Sequence, residues 1–482
     1  MRSLATPQAH RLMLDGAVEL AEVEANGIRI DMDRLKANRI AVKERMDRIT
    51  TKLKTQPLWA LMRRRFGQNA KITAGEQVGA VVFSPVADGG LGYINEKKTP
   101  KGTMAVDAEV FAPLTGDVPW LVGWSILQKL VKVDSTYLAG IERETHYTHC
   151  RITGDKHHIL RPWFNLSSTD TYRSSCDSPN FQNMPIRDPE WAELIRTCIV
   201  PRPGYRLVEV DFSGAEVRVA ACYHKDPAMM RYLAGGGDLH WEMAEQCFMV
   251  ARDRMPKACR NMVKGMFVFA EFYGDYFLSV SRNIWEGIDR EHLMLTDGTP
   301  IKEWLVSCGI TELGTASGED GDSPVEGTFQ YHIQQVEQRL WKVTLPVYDQ
   351  WRRDFFKSYK ETGEFSTLTG FHLWMPMRRN AVINNPVQGS SFHCLLWSLI
   401  QINRNIRKTG MPVGVIGQIH DSIIAEVRDD AVPAYLAMCK QVIEVDLRKR
   451  YPWLVVGMTA EAKVSETFER GGSWFKMTEQ AL

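Results

Sequence analysis

Two aspartates each end a segment that is rich in apolar and β-branched residues. Asp211 follows the run 207–210, and the largely apolar segment 415–421 ends in Asp421. Runs of this kind favour β-strands, so each strand would deliver one carboxylate at its end. Carboxylates from two distant strands suit a pair of Mg²⁺ ions, which can clamp the attacking and leaving oxygens of a phosphoryl transfer. Either aspartate alone would be no more than a polar residue at the end of a strand.

Basic and aromatic residues between the two aspartates have the spacing of a helix face. Arg260 and Lys264 are four residues apart, so on a helix they lie on one face and could hold a triphosphate as a fork and a point charge. Phe269 and Tyr273 are also four apart and offer flat rings on which a base can stack. A basic pair by itself would be only a solvated helix face.

A further segment carries two amide side chains. Residues 384–389 read Asn-Asn-Pro-Val-Gln-Gly, and the proline predicts that a helix starts between the two amides. In order and spacing, this segment and those around Asp211, Arg260 and Asp421 resemble the three signature motifs of the family A DNA polymerases. That family includes bacterial DNA polymerase I and many bacteriophage replicative enzymes.

The resemblance extends over nearly the whole chain. Residues 168–185 resemble the family's template- and primer-contacting segment, with Tyr172 where the family usually has glycine. Residues 238–240 resemble the acidic-His pair that follows the first motif, and residues 367–376 resemble the turn before the Asn/Gln helix. Residues 24–31 and 129–137 resemble the two ends of the family's thumb.

The resemblance implies an α+β fold of the right-hand polymerase type. Its palm would be an antiparallel sheet with helices, and its fingers and thumb would be mainly helical. The expected division is a lead-in to the palm at 1–30, a thumb at 31–150, palm at 151–237, fingers at 238–370 and palm again at 371–482. The segment from about 277 to 327 departs from the family pattern and includes an acidic, glycine-rich stretch at 314–324. This insertion could dock a partner, cover the DNA or have no catalytic role.

The resemblance also implies an activity, that of a template-directed DNA polymerase. Such a nucleotidyltransferase adds dNTPs to a primer 3′-hydroxyl and releases pyrophosphate. Asp211, Asp421 and the Phe212 carbonyl would hold two Mg²⁺ ions, with Mn²⁺ as a substitute. Arg260 and Lys264 would hold the β- and γ-phosphates and the charge that develops on them.

The same resemblance assigns the nucleotide and DNA contacts. Phe269 would stack on the incoming nucleotide, Tyr273 would pack beneath the templating base, and Glu216 would crowd the 2′ position of the sugar and so reject ribonucleotides. His240 completes the nucleotide-binding set. The expected DNA-binding side chains are Arg173, Asn180, Gln182, Asn183, Asn384, Gln388 and His420.

Three departures from the family pattern limit this transfer. Ser422 follows Asp421 where the family often has a glutamate, so the metal site would rest on two carboxylates. Gly214 replaces a common glutamine. Phe269 follows Lys264 by five positions where the family usually has four, which in a regular helix would turn Phe269 about 140° away from Lys264. Either a π-bulge absorbs the extra residue, or Val268 and Phe272 take the stacking positions; the Tyr273–Gly274 pair favours the bulge.

Composition sets broader expectations. The 59 Lys and Arg residues balance 58 Asp and Glu residues, so DNA would have to bind in a local basic groove. The basic clusters 63–65 and 97–101 could contact phosphates or simply aid solubility. Nine cysteines without a Cys-x-x-Cys pair favour reduced thiols in the cytoplasm and argue against a zinc site. No segment resembles a membrane span or a signal peptide.

The expected setting is the replication of a bacteriophage genome in the cytoplasm of a bacterial host. Primer–template DNA and dNTPs would be the partners of a monomeric enzyme. The chain begins almost at the thumb, without the roughly 150–200 residues of a 3′–5′ exonuclease domain. Proofreading would then come from a separate polypeptide, and a processivity factor is a further expected partner.

Two other readings stay open at this point. Single-subunit RNA polymerases share the two-aspartate palm and a helix with Arg, Lys and Tyr-Gly, but Glu216, the Asn384/Gln388 pair and the segment 173–183 favour DNA synthesis. The chain could also be a DNA-binding remnant without chemistry, against which the intact Asp211, Asp421, Arg260 and Lys264 argue.

Overall fold

Helices make up most of the N-terminal part of the chain. The computed structural model describes residues 5–95, 97–99, 104–186, 188–316 and 323–482. The helices of the first part are α1 (Pro7–Asn26), α2 (Met32–Lys54), α3 (Pro57–Phe66), α4 (Gly75–Val82), α5 (Ala108–Phe111), α6 (Trp120–Lys132) and α7 (Ala139–Glu144). Asp31 caps the long helix α2 by accepting a hydrogen bond from the backbone N–H of Arg34, at 3.0 Å.

The helices α2 to α6 share a hydrophobic core that is distinct from the main core. Met62, Val78, Phe111 and Leu121 are fully buried in it. Short strands connect this helical part to the rest: β1 (Ile28–Arg29), β2 (Thr145–His149), β3 (Lys156–Leu160), β4 (Trp163–Asn165) and β5 (Ser175–Asp177). Because it has its own core, this part can keep its internal packing when its neighbours change.

A five-stranded antiparallel sheet lies at the centre of the main core. It is preceded by α8 (Pro189–Arg196), and its strands are β6 (Tyr205–Phe212), β9 (Val413–Ile419), β10 (Ser422–Arg428), β11 (Ala460–Ser465) and β12 (Met477–Gln480), in the order β12-β11-β6-β10-β9. Every residue of β10 except Arg428 is buried, because this strand lies between β6 and β9 and packs against α18 and α19. Pairing of β10 with β6 sets Ser422 opposite Asp211.

The segment between the two halves of this sheet is helical. Its helices are α9 (Ala215–His224), α10 (Pro227–Leu233), α11 (Leu239–Phe248), α12 (Lys257–Val263), α13 (Phe269–Phe272), α14 (Phe277–Arg290), α15 (Ile301–Ser307), α16 (Phe329–Arg339) and α17 (Pro346–Thr362). Most of the acidic stretch expected at 314–324 lies outside the described residues. The part of the expected insertion that is described contains α14 and α15, and Trp304 of α15 donates a 3.0 Å hydrogen bond to the Phe248 carbonyl.

The long helix α18 (Arg379–Thr409) corrects one prediction. It follows the hairpin of β7 (Phe365–Ser366) and β8 (His372–Leu373), and the chain ends with α19 (Val432–Lys440), α20 (Leu447–Arg450) and the strands already given. The helix start predicted at Pro386 is wrong, because Pro386 lies inside α18. Proline breaks the hydrogen bond to residue 382, but Val382 and Ile383 are buried and hold the preceding turn in place.

A buried ion pair joins β10 to the start of the chain. Arg202 and Glu426 are both fully buried and form a salt bridge. The backbone N–H of Arg202 donates to Glu426 Oε1 at 2.7 Å, and its guanidinium donates to the carbonyls of Asn26 and Gly27 at 2.9 and 3.1 Å. The pair therefore ties the end of α1 to the central sheet.

Replacing Glu426 by glutamine should lower the free energy of unfolding of the sheet core by about 3–5 kcal/mol, because it leaves the Arg202 charge buried without a partner. Urea unfolding followed by tryptophan fluorescence measures this loss. The matched control is Arg428→Gln, at the exposed end of the strand that carries Glu426. This change breaks an exposed pair with Asp430 and should leave the urea midpoint unchanged. Equal midpoints for both variants would contradict this role of the buried pair.

Candidate active site

The carboxyl groups of Asp211 and Asp421 meet at one edge of the central sheet. Asp211 is the second-last residue of β6, and Asp421 lies in the tight turn between β9 and β10, after His420 with φ +49°. The backbone N–H of Phe212 donates to the Asp421 carbonyl at 3.0 Å, which locks the turn against β6. The two carboxyl groups are therefore neighbours, and each affects the electrostatic environment of the other.

Burial, and then the neighbouring Asp421 carboxyl, raise the pKa of Asp211 well above its usual range. Two acids held this close repel one another when both are ionised, and a divalent cation relieves that repulsion. The oxygen donors present fit a hard cation such as Mg²⁺. Among the described residues, no group of three or more His, Cys, Asp or Glu side chains could hold a metal ion. Further ligands would have to be backbone oxygen, water or substrate.

Ser422 stands where the family often has a glutamate, but its side chain does not take over the role of a carboxylate. It is buried, and its hydroxyl donates to the Ile419 carbonyl at 3.1 Å. The hydroxyl is therefore engaged in the turn, in agreement with the expectation of two carboxylates.

A cleft of about 510 Å³ opens beside the two aspartates. It gathers side chains from β6, α9, α13, α18 and the turn at 420–421. Those that were predicted from the sequence as site residues are Arg173, Phe212, Glu216, Phe269, Tyr273, Gln388, His420 and Asp421. Residues from separate parts of the sequence thus share one surface.

Glu216 links two sides of this cleft. It accepts a hydrogen bond from the Tyr273 hydroxyl at 2.6 Å and forms a salt bridge with Arg173 at 3.3 Å. Burial, and then the Glu216 charge, raise the pKa of Tyr273 above its usual value, so this hydroxyl keeps its proton and acts as the donor. Gly214, with φ +61°, makes the sharp turn from β6 into α9 that directs Glu216 at the cleft; glycine adopts this conformation without a steric penalty.

The helix that carries Arg260 and Phe269 contains the predicted π-bulge. A π-helical segment, Lys264–Val268, lies between α12 and α13 and absorbs the extra residue. Phe269 faces the cleft with Lys264 Nζ at 5.4 Å from its ring centroid, whereas Val268 is fully buried. The expectation of a bulge is confirmed, and the alternative placement of Val268 in the cleft is wrong.

Three of the residues predicted to bind the nucleotide or its phosphates do not line the cleft: His240, Arg260 and Lys264. Arg260 pairs with Asp238 Oδ2 through two nitrogens, at 2.9 and 2.8 Å. Although partial burial opposes it, this pairing keeps the pKa of Asp238 below its usual value. The His240 ring meets Phe269 edge-on at 5.7 Å. Burial, and then the Arg260 charge, lower the pKa of His240 to about 4, so its imidazole is neutral at pH 7.

A second cavity of about 320 Å³ adjoins the cleft at Arg173. It contains six of the seven side chains predicted to bind DNA: Arg173, Asn180, Gln182, Asn183, Gln388 and His420. Asn384 is the exception. Its amide donates to the Tyr273 carbonyl at 2.9 Å, so it supports the end of α13.

Gln418 also lies in this second cavity, and the sequence interpretation missed it. It is almost fully buried, and its amide oxygen accepts from Gln182 at 2.8 Å and from the Ser174 hydroxyl at 2.6 Å. Its own amide donates to the His420 carbonyl at 2.8 Å. A glutamine inside an apolar strand was the signal that could have revealed it.

Tyr172 occupies the position where the family usually has glycine. It has φ +56°, a conformation that costs a non-glycine residue energy. Its ring packs on Phe371 at 4.8 Å and its hydroxyl donates to the His372 carbonyl at 3.2 Å. These contacts hold the backbone that orients Arg173.

The chain is similar in sequence to known DNA polymerases. A model of DNA polymerase family A matches residues 40–292. The DNA polymerase I of Bacillus subtilis (strain 168) is 24% identical over 460 residues, which cover 95% of this chain and 44% of that protein. The thermostable DNA polymerase I of Thermus aquaticus is 23% identical over 437 residues, which cover 88% of this chain and 44% of that protein. The chain thus spans about half the length of these relatives.

The fold is similar to that of the POL domain of Pol1 from M. smegmatis, solved in complex with DNA primer-template and dNTP. The TM-score is 0.72 at 20% sequence identity, and the match covers 96% of this chain and 70% of that one. This similarity confirms the expected α+β class with a central antiparallel sheet. Because the family model matches more than half of the residues, the chain belongs to DNA polymerase family A.

Proposed function

We propose that this chain is a DNA-directed DNA polymerase that adds dNTPs to a primer 3′-hydroxyl on a template and releases pyrophosphate. One observation carries the proposal: the cleft lined by Asp421, with Asp211 next to it, also presents the rings of Phe269 and Tyr273 and the carboxylate of Glu216. The names of the relatives support it, since they are DNA polymerases.

Asp211 and Asp421 would hold two Mg²⁺ ions, with the Phe212 carbonyl as a third protein ligand and Mn²⁺ as a substitute. When bound, the ions would favour ionisation of the primer hydroxyl and neutralise the triphosphate and the departing pyrophosphate. The contribution of the chain is to hold both carboxylates in reach of one another before substrate arrives, so that little reorganisation is needed.

Arg260 and Lys264 would bind the β- and γ-phosphates. Asp238 holds the guanidinium of Arg260 at one edge, which limits its rotamers and leaves its other edge for phosphate. Phe269 would stack on the base of the nucleotide, with the neutral His240 ring at its edge. Tyr273 would support the templating base position.

Glu216 would select deoxyribonucleotides. Its carboxylate is fixed by Tyr273 and Arg173, so it cannot easily move away from a ribose 2′-hydroxyl. A fixed obstacle of this kind rejects the wrong sugar by steric clash. The second cavity, with Arg173, Gln388 and His420, would hold the primer end and read the minor groove, where correct base pairs share acceptor positions.

The domain roles follow from this assignment. The helical part with its own core, within 31–150, would be the thumb. The sheet would be the palm, at 151–237 and 371–482, and the helices of 238–370 the fingers.

We assign the enzyme to phage genome replication in a bacterial cytoplasm, on the basis of its departures at Gly214, Ser422 and the π-bulge. It would act as a monomer, with a processivity factor and a separate exonuclease as further candidate partners. Within the described residues, no helix is long and apolar enough to span a membrane.

Replacing Asp211 by asparagine should slow primer extension by about 10³-fold or more, the scale expected when a central electrostatic stabiliser is lost. The assay uses a labelled primer–template, Mg²⁺ and either dNTPs or NTPs. The control is Asp430→Asn, an exposed aspartate near the far end of β10, which should extend like wild type. Extension with NTPs in place of dNTPs would instead favour an RNA polymerase, and no extension by wild type would contradict the proposal.

Replacing Glu216 by alanine should raise the ratio of ribonucleotide to deoxyribonucleotide incorporation by roughly tenfold to a hundredfold, because the obstacle at the 2′ position is gone. The ratio of kcat/KM values for rNTP and dNTP measures it. Glu216→Gln keeps the bulk and should keep the discrimination. A ratio that stays at the wild-type value in both variants would remove Glu216 from this role.

Replacing Phe269 by tyrosine should reduce discrimination against dideoxynucleotides by about tenfold or more. The reason is that the added hydroxyl can make the hydrogen bond that the absent 3′-hydroxyl of a dideoxynucleotide would have made. Competition between ddNTP and dNTP within each variant measures the effect, so a general loss of activity cancels. Phe272→Tyr serves as the comparison. If Phe272→Tyr changed the ratio and Phe269→Tyr did not, the stacking role would belong to Phe272.

A further inference from the structure

A carboxyl group is buried behind the helix that lines the cleft. Glu271 lies in α13, midway between Phe269 and Tyr273, and is 1% exposed. Two helical steps rotate a side chain by about 200°, so Glu271 points away from the cleft when its two neighbours face it. A buried carboxyl group lowers stability unless partners compensate, so its contacts matter for how α13 is held.

Only one of the two carboxyl oxygens of Glu271 has a hydrogen-bond partner among the described residues. Its Oε2 accepts a hydrogen bond from Trp341 Nε1 at 2.9 Å, and its Oε1 has no hydrogen-bond partner among the described residues. Trp341 lies in the π-helical segment Leu340–Thr344, which runs up to α17. The indole therefore connects the back of α13 to the next layer of helices.

Arg352 of α17 completes this arrangement from the other side. Its guanidinium carbon lies 3.4 Å from the centroid of the Trp341 ring. Its Nε is buried with no partner within the described part of the chain, and its Nη1 reaches only the main-chain carbonyl of Glu271, at 3.5 Å. Glu271 Oε1 and Arg352 Nε are thus two unsatisfied polar atoms on side chains that both contact Trp341, and unsatisfied buried groups of this kind call for an explanation.

The charges around Glu271 determine its protonation. Burial first, and then the nearby Glu337 of α16, raise the pKa of Glu271, while Arg352 opposes this and Asp275 adds to it. Burial raises the pKa of the Cys247 thiol of α11 and of the Tyr348 hydroxyl of α17, which lie near this contact. Asp349 of α17 pairs with Arg352 Nη2 at 3.4 Å, and although burial opposes it, its ion pairs with Lys342 and Arg353 lower its pKa. Because the folded pKa of Glu271 is above the unfolded one, its ionisation disfavours the folded packing: the contribution of this group to the free energy of unfolding is fully present at low pH and is lost as the pH rises through the folded pKa.

We propose that Glu271 and Arg352 are positioning residues that hold the back of α13 to α17 through Trp341 and so set the angle at which Phe269 and Tyr273 face the cleft. Neither side chain lines the cleft, so they act only through the helix between them. The kinetic part of this inference rests on the proposed function, since it assigns the nucleotide contacts to Phe269 and Tyr273.

The test combines kinetics and hydrogen exchange on Glu271→Leu, Glu271→Gln, Arg352→Met and the double variant Glu271→Leu/Arg352→Met. Glu271→Leu should raise the KM for dNTP by about tenfold with kcat within about threefold, the pattern of lost positioning rather than lost chemistry. Glu271→Gln keeps the Trp341 hydrogen bond without a titrating proton. It should match wild type at pH 7 and lack the rise in KM that we expect of wild type between pH 7 and 9.5. The exposed Glu286→Gln in α14 is the matched control and should behave as wild type throughout.

The double variant decides whether the two residues act together. If they form one positioning unit, its KM will rise less than the product of the two single effects. Multiplicative effects, a wild-type KM in Glu271→Leu, or the wild-type pH profile in Glu271→Gln would each overturn the proposal.

Hydrogen exchange of the peptide 264–276, measured without DNA or nucleotide, needs no polymerase activity. Glu271→Leu should speed exchange in that peptide, and Glu286→Gln should not. Unchanged exchange would overturn the positioning role even in an active enzyme. Faster exchange in a protein that incorporates no nucleotide would uphold the packing role and overturn the proposed function instead.

Discussion

The close approach of the Asp211 and Asp421 carboxyl groups is the constraint on which the rest of this structure depends. It arises because β10 pairs with β6 and the turn at 420–421 folds back against Phe212. Asp211 is half-buried, and the loss of solvation together with the nearby Asp421 carboxyl raises its pKa. The free energy that holds them together comes from the surrounding sheet, including the buried ion pair between Arg202 and Glu426 of β10. An acidic pair maintained at this expense is ready for a divalent cation.

The cleft beside this pair depends on hydrogen bonds that cross between elements. Glu216 of α9 holds Tyr273 at the end of α13 and Arg173 in the segment before α8. Asn384 of α18 holds the Tyr273 carbonyl from another side. The shape of the cleft is therefore set by several elements at once. A change in the tilt of α13 would move the Phe269 ring and the contact between Tyr273 and Glu216 together. This coupling gives the buried contacts behind α13 a direct consequence for the site.

Much of the site could be predicted because its signals are local. An apolar run that ends in an aspartate predicts a strand and a carboxylate at its end. Phe269 follows Lys264 by five positions instead of four, which calls for a π-bulge once Tyr273 is placed. The helix start at Pro386 was predicted wrongly, since local proline chemistry favours a break and only the burial of Val382 and Ile383 overrides it. The roles of Gln418 in the second cavity and of Glu271 behind α13 depend on partners from distant segments. No local pattern encodes such pairs.

The central claim is that Asp211 and Asp421 together hold the divalent ions of the reaction. The most direct measurement is a crystal structure with primer–template, a non-hydrolysable dNTP analogue and Mn²⁺, with anomalous diffraction data to locate the metal. The account predicts two anomalous peaks, both within coordination distance, about 2.0–2.3 Å, of oxygens from these two carboxylates and the triphosphate. Manganese bound elsewhere in the cleft, with neither aspartate among its ligands, would contradict it.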